Sequence, residues 1–524
     1  MIIRFFQNFL IFNLNLINLG TGRISEKVRD LISQILYVVL FSYFIAFRAV
    51  IFRGWAFREL LPTKTSRYIF CTTLLLTIAI MNIKKPLRRV PWRSFLIITQ
   101  MLMGLAIIII SCIHPIGEGY RLFGFQLLMV FPVFYLVWNN RRDYENLFRP
   151  ITYALLLVGD VFYVINYVMA FSGRLVMDGA RCNGCMPNAN SFSLIGMELV
   201  LGGMYLFSVK KGSWIKTIIS GTSIGMGMGI ILAGQMRIAI LTVCICSIVS
   251  LFFCLRYFKL SFNRTVFCQL LTVALLIFIF IEASSSMIDI NKRAIERNLG
   301  IITEQETADS GIQAPEEPDV TDRFDLSTGK DLNSYSSGRI QIWKNYASHL
   351  NWIGNDFDQY DPVAYTGHEE LPYAHNIFLE IAYRCGVPVG ILSMIYYLIC
   401  GFICIGFLFF KTDNKQRYLL FPIIASIAFA LEALLDCAVL PFFQAEALVF
   451  YISVAVIVDK KINIKQTKSA VQDSIPIRDN LDGFNCTNER VSENMNPSSG
   501  TNRDGQKTGS YVDILPPPDG KYSR

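Results

Sequence analysis

The sequence predicts an all-α, polytopic membrane protein, and three observations carry that prediction. Of 524 residues, 53% are hydrophobic and only 17% charged, and mean hydropathy is +0.42, outside the balance of a soluble globular chain. Apolar runs long enough to cross a hydrocarbon core, about 20 residues for roughly 30 Å, recur from near the N-terminus to about Val458. The alternating ten-residue pattern of a membrane β-barrel is absent, and backbone in lipid must satisfy itself internally, so these runs read as helices.

Candidate spans begin near Ser33, Tyr68, Phe95, Leu122, Ile151, Ser191, Trp214, Arg237, Val266, Ile377, Arg417 and Phe442. That gives about twelve transmembrane helices, with a large extracytoplasmic loop before the tenth. The expected organisation is a cytoplasmic N-terminal segment over 1–32, helices 1–9 over 33–287, the extracytoplasmic loop over 288–374, helices 10–12 over 375–458, and a disordered cytoplasmic tail over 459–524. The first thirty residues show no small-residue cleavage site, so no removable signal peptide is expected.

The formal charge of +8 lies mostly in short loops beside apolar runs, which is a topology signal and argues against nucleic-acid binding. With the N-terminus inside, Lys84, Lys85, Arg88, Arg141, Lys210, Arg256, Lys411 and Lys460 all fall on the cytoplasmic side. Arg53, Arg58, Lys64 and Arg67 break the alternation. Thirteen cysteines are scattered without a disulfide framework. Cys182 and Cys185 form a lone CxxC, which without a second pair or nearby histidines is read as structural, with a disulfide as the alternative. GTSIGMGMG, from Gly221 to Gly229, superficially looks like a phosphate loop but lies inside an apolar span, where small residues allow close helix packing.

The outward connections carry the unusual residues. They are the loop with Arg181 and CNGCMPNAN, the turn GQMR ending in Arg237, and the long loop. The loop includes an acidic, Pro-containing stretch read as solvated. Order is expected to return near Ser336, where Ile340, Trp343, Ala347 and Leu350 recur at helical spacing behind Arg339. His375 then opens the helix AHNIFLEIAYRCG. Arginine at a helix N-terminus is a natural phosphate receptor, and a histidine near its ordinary pKa can take a proton from a hydroxyl. Each has a bland reading beside this one: Arg237 snorkelling, Arg339 solvated on a surface, His375 marking the interface. Asp356, Asp358 and Asp361 resemble a metal loop, but lack the glycine and distal glutamate of a calcium hand, so a solvated turn is expected.

SGRIQIW with Arg339 and Trp343, AHN with His375 and Asn376, Leu379, Gly386 and Gly390, GCMPN with Asn188, and Arg237 in GQMRIAI together resemble the bacterial O-antigen ligase and Wzy-type polysaccharide polymerase superfamily. The family often places serine before the upstream arginine, where this chain has Met236. The resemblance implies a metal-independent, inverting membrane glycosyltransferase that needs no cofactor and acts on a polyprenyl diphosphate-linked glycan. It assigns His375, Arg339 and Arg237 to catalysis, and Arg181, Asn188, Asn376 and Trp343 to substrate binding. It implies a bacterial cytoplasmic (inner) membrane location with the site facing outward, membrane lipids as partners, and a chain-length regulator or another polysaccharide-assembly protein as a candidate partner. Polymerase is the first reading. A ligase transferring finished glycan to a lipid or protein, and a transporter or flippase, stand as alternatives, although the repeated halves and broken helices of transporters are not evident.

Overall fold

The computed structural model describes residues 2–50, 61, 63–88, 95–116, 118–141, 146–209, 213–258, 264–303, 339–355, 374–409, 414–435, 445 and 447–456. The expected start near Phe442, Asp356, Asp358, Asp361, most of the acidic loop and the tail over 459–524 lie outside them.

The fold is all-α and polytopic. In chain order the helices are α1 (Ile2–Thr21), α2 (Glu26–Arg48), α3 (Lys64–Met81), α4 (Phe95–Ile113), α5 (Glu118–Asn139) and α6 (Arg149–Phe171). A short antiparallel hairpin follows, β1 (Val176–Asp178) and β2 (Arg181–Gly184). After it come α7 (Ala189–Val209), α8 (Trp214–Gly234), α9 (Arg237–Phe258), α10 (Arg264–Thr303), α11 (Arg339–Ser348), α12 (Ile377–Cys385), α13 (Val387–Phe409), α14 (Leu420–Leu435) and α15 (Ala447–Val456). Among the described residues ten helices are long and apolar enough to cross a membrane, and two shorter apolar helices, Thr65–Met81 and Ala447–Val456, stand where two further spans are expected.

Glycines set the closest helix approaches. A Cβ at Gly227 of α8 would meet Gly196 O of α7 at 2.5 Å, and one at Gly225 would meet Leu276 O of α10 at 2.7 Å. The GTSIGMGMG run is therefore a packing surface on two sides.

The bundle has two poles. At one, Lys84 pairs with Asp30 (2.6 Å), Arg29 donates to Ile83 O (2.5 Å), Arg141 donates to Asn82 Oδ1, and Arg256 donates to Phe409 O (2.6 Å). Lys84, Arg141 and Arg256, which the charge pattern assigns to one side, do gather there. The hairpin, the first turns of α7 and α9, and α11 and α12 lie at the other pole. Arg67 is at that second pole too, over the Phe47 ring at 3.9 Å and donating to Leu61 O (2.9 Å).

Four local expectations change. Residues 2–21, inside the expected N-terminal segment, form a helix that buries Leu10 and Leu14, exposes Phe5 and Phe12, and is tied down by the reciprocal Asn15–Leu87 pair (2.7 and 3.0 Å). The next helix begins at Glu26, ahead of Ser33, because Ser25 caps it by accepting Val28 N–H (3.4 Å). α10 runs on to Thr303, past the expected loop start at 288, because Asn291 pairs with the backbone of Leu175 (3.1 and 3.5 Å) and fixes that extension to the hairpin.

The fourth change bears on the site. The single span expected from Ile377 is two helices, α12 and α13, broken at Gly386. Gly386 has φ +87, and a Cβ there would strike Trp352 O. Pro388 in the first turn of α13 starts the next helix. The segment 351–355 threads under the break, with Val387 N–H donating to Asn351 O (2.9 Å) and Asn355 N–H to Tyr383 O (2.9 Å).

Candidate active site at one pole of the bundle

The upstream part is built on the hairpin. Asn166 of α6 accepts Cys185 N–H (2.8 Å) and donates to Phe162 O (2.8 Å), fixing the exit of β2. Gly184 (φ +60) packs so tightly on Asn166 and Phe192 that a side chain has no room. Arg181 is half-buried and donates from Nε to Gly234 O (3.1 Å) and from Nη2 to Asn190 Oδ1 (2.7 Å). Gln235, left-handed at φ 52, closes the same junction by donating to Ala180 O (3.1 Å). Those bonds hold the hairpin against the α8–α9 turn, and Arg237 begins α9 two residues later, its side chain exposed. Asn188 caps α7, its Oδ1 accepting Ser191 N–H (2.7 Å). Arg181 thus supports the turn that leads to Arg237, while Asn188 holds the start of α7.

Cys182 and Cys185 are buried free thiols. Burial pushes both up to about 11, so neither is a thiolate at neutral pH.

The downstream part is α11 against α12. Ile342 and Tyr346 of α11 form a small buried cluster with Ala374 and Tyr383, and the Tyr346 and Tyr383 rings meet edge-on at 4.8 Å. Of the expected 340/343/347/350 stripe Leu350 packs on the cluster, but the buried positions are 342 and 346, since α11 packs on α12 rather than lying on a flat interface; Ala347 is exposed. The C-terminal end of α11 is pinned beside the end of α12, where Asn355 Nδ2 donates to both His349 O and Tyr383 O (3.0 Å each). A parallel pairing follows, which carries Arg339, the first residue of α11, toward the His375 end of α12. Trp343 is half-buried, its indole nitrogen enclosed without a hydrogen-bond partner among the described residues.

His375 is half-buried and adopts φ +49, a left-handed conformation uncommon outside glycine. Its neighbours hold it there. Asn376 caps α12, accepting Phe378 N–H (3.1 Å) and Leu379 N–H (3.0 Å), and donates from Nδ2 to Leu434 O (3.1 Å). On the other side, Ala374 N–H donates to Glu380 Oε2 (2.8 Å). Glu380, 1% exposed, also accepts from the Tyr120 hydroxyl (3.0 Å) and from Arg384 Nε (3.2 Å). One buried carboxylate therefore ties together α5, α12 and the residue before His375. Sequence reasoning missed Glu380, Arg384 and Tyr120. The i,i+4 Glu–Arg spacing was the available signal.

The two parts meet at the end of α14. Cys246 of α9 lies against Ile424 O of α14 (3.7 Å), and the helices run antiparallel. Going nine residues back to Arg237 and nine on to Ala433 is the same rise, about 13.5 Å at 1.5 Å per residue. Arg237 is therefore level with the last turn of α14, the turn whose Leu434 carbonyl receives Asn376. Glu432 is buried on that turn. Asn376 touches the end of α14, and Arg237, Arg339 and His375 lie at the same pole, at the starts of three separate helices.

The family model described as O-antigen ligase matches residues 221–394. Over that third of its length the chain is similar to the O-antigen ligase family. The match runs from within α8 into the second turn of α13, so it includes Arg237, Arg339, Trp343, His375 and Asn376 and leaves Arg181 and Asn188 upstream. No curated protein matches the chain. The match supports an O-antigen ligase-type membrane enzyme, and the pole at the end of α14 is where its chemistry is sought.

Proposed function

We propose that this O-antigen ligase-type enzyme is an inverting glycosyltransferase that takes its glycan from a polyprenyl diphosphate carrier. One observation carries the reading: the parallel packing of α11 on α12 directs Arg339 to the same helix end as His375. In this reading His375 accepts the proton of the acceptor hydroxyl as that oxygen attacks the anomeric carbon. The bond from that carbon to the diphosphate oxygen breaks, its electron pair leaves with the diphosphate, and the configuration inverts. Arg237 and Arg339 bind the diphosphate and stabilise the charge that grows on it, which makes the step independent of metal. Trp343, Asn376 and Asn188 shape the sugar side, and Arg181 keeps Arg237 in place.

Joining lipid-linked repeat units is the first reading of the acceptor, and transfer of finished polymer to a lipid or protein is the second. The bacterial cytoplasmic membrane, with the site facing outward, fits the clustering of Lys84, Arg141 and Arg256 at the opposite pole. A chain-length regulator is a candidate partner for a polymerase. The test is purified protein in nanodiscs with a polyprenyl diphosphate oligosaccharide and EDTA. Elongation of the lipid-linked glycan supports a polymerase, and transfer to an added lipid or protein acceptor supports a ligase. If the diphosphate-linked glycan stays unconsumed with either acceptor, the proposal fails.

A further inference from the structure

Trp352 is 76% exposed and Ile353 beside it 53% exposed, on the loop that lies against the α12–α13 break. That loop is fixed in place. Asn351 Oδ1 accepts Ile353 N–H (3.1 Å), Asn351 Nδ2 donates to Asn355 Oδ1 (3.0 Å), and His114 at the end of α4 bonds Ile353 O through Nε2 (2.5 Å). Gly354, at φ +83, packs so closely on Arg384 O that a side chain has no room. The backbone is therefore committed to holding two large apolar side chains away from the bundle, which costs free energy if they face water.

Their height puts them at a lipid boundary. Phe409, the last residue of α13, receives Arg256 at the opposite pole. From there α13 rises through 23 residues, about 34 Å at 1.5 Å per residue, against roughly 30 Å for a hydrocarbon core. The Gly386 break, where Trp352 O lies against the chain, therefore stands at the far edge of that core. Two apolar stripes lead up to it. Leu105, Ile109 and Ile113 of α4, and Leu398, Met394 and Ile391 of α13, are exposed at helical spacing, as on faces that meet acyl chains. His114 ties the loop to the tip of the first stripe, and Val387 N–H ties it to the start of the second, so Trp352 and Ile353 stand where both stripes end.

We propose that Trp352 and Ile353 dock in the headgroup region of the leaflet at this pole and so set the depth of α12 in the bilayer. Tryptophan suits that position, because its ring is apolar while its indole N–H still reaches water or a lipid carbonyl. The exposed neighbours Ile353 and Ile113 are aliphatic, whereas a sugar platform sets hydrogen-bonding groups beside the ring. The docked loop holds α12 at its far end, where Asn355 donates to Tyr383 O and Val387 N–H donates to Asn351 O. α12 is nine residues long, about 13 Å, so the anchor and His375 sit at the two ends of one short helix. The docking is independent of the reaction, and its effect on transfer rests on the reading of His375 as the base.

The docking is tested with full-length protein in nanodiscs of phosphatidylcholine brominated either near the headgroup or near the acyl chain ends, with Trp352→Phe giving the emission of the other tryptophans for subtraction. Bromine near the headgroup should quench the Trp352 emission at least twofold more than bromine at the chain ends. Equal emission in brominated and plain lipid overturns the proposal. So does emission that responds to a soluble oligosaccharide and ignores bromine, which would make the ring a sugar platform. Depth control is tested by glycan transfer in nanodiscs of short, medium and long acyl chains. The unmodified protein should work at least threefold faster in one thickness than in the other two, and the double variant Trp352→Ala, Ile353→Ser should lose that preference. The same preference in both proteins overturns the control of depth even where quenching is seen. An unmodified protein that transfers no glycan in any bilayer overturns the reading of His375 instead, and quenching alone then decides the docking.

Discussion

The two halves of the site pole are held by opposite means. Around Arg237 the hairpin and the α8–α9 turn are joined by several independent ties, Arg181 to Gly234 O, Gln235 to Ala180 O and Asn166 to Cys185 N–H, each between elements already packed in the bundle. Around His375 the chain comes from a loop and a nine-residue helix, and one carboxylate, Glu380, receives three donors. The first half is redundant, so losing one tie leaves others. The second is concentrated, so it is open to collapse from a single substitution.

The largest expected effect tests the chemistry of the concentrated half. His375→Ala should lower glycan transfer by about 10²–10⁴-fold while thermal unfolding stays unchanged. Transfer at the rate of the unmodified protein would reject the base assignment. Glu380→Ala tests the support behind it. It strands Arg384, 2% exposed, beside Tyr120, and removal of one partner of a buried pair costs about 3–5 kcal/mol. Glu380→Gln should recover part of that, because an amide oxygen still accepts from Tyr120.

The redundant half should respond less. Arg181→Ala is expected to cost about 1–2 kcal/mol at its half-buried position, with a severalfold loss of activity through misplacement of Arg237. A loss of stability equal to that of Glu380→Ala would abolish the proposed contrast. Asn376→Ala should cost about 1 kcal/mol as a lost cap. Asn376→Asp keeps the cap oxygen but gives up the bond to Leu434 O, so stability should return while activity does not. If both return together, the tie to α14 has no role in placing His375.

The smallest effect expected is none. Cys182 and Cys185, buried and with thiols pushed up to about 11, should resist maleimide in the folded protein at pH 7, and reductant should leave activity unchanged. Rapid labelling of the native protein would show that the hairpin opens, and that the upstream half is less firmly held than its hydrogen bonds indicate.

Much of this was legible in the chain alone, for a physical reason. Hydropathy, charge bias and helix spacing are local properties, so apolar runs, the clustered cations of one pole and a short helix opening at Arg339 can be read in windows of a few residues. Ser25 and the Gly-Val-Pro at 386–388 were equally local signals for a helix start and a helix break, and they outweigh the continuous hydropathy around them. What no window contains is partnership. Tyr120 is 260 residues from Glu380, and Asn376 is 58 from Leu434. The sequence by itself determined an α-helical membrane bundle and named Arg237, Arg339 and His375. Only the tertiary structure decided that α11 lies parallel on α12, that a buried carboxylate sets the backbone before the histidine, and that α14 ends where three other helices begin. Desolvated pairs and helix ends acquire their meaning from neighbours that the chain brings together only when it folds.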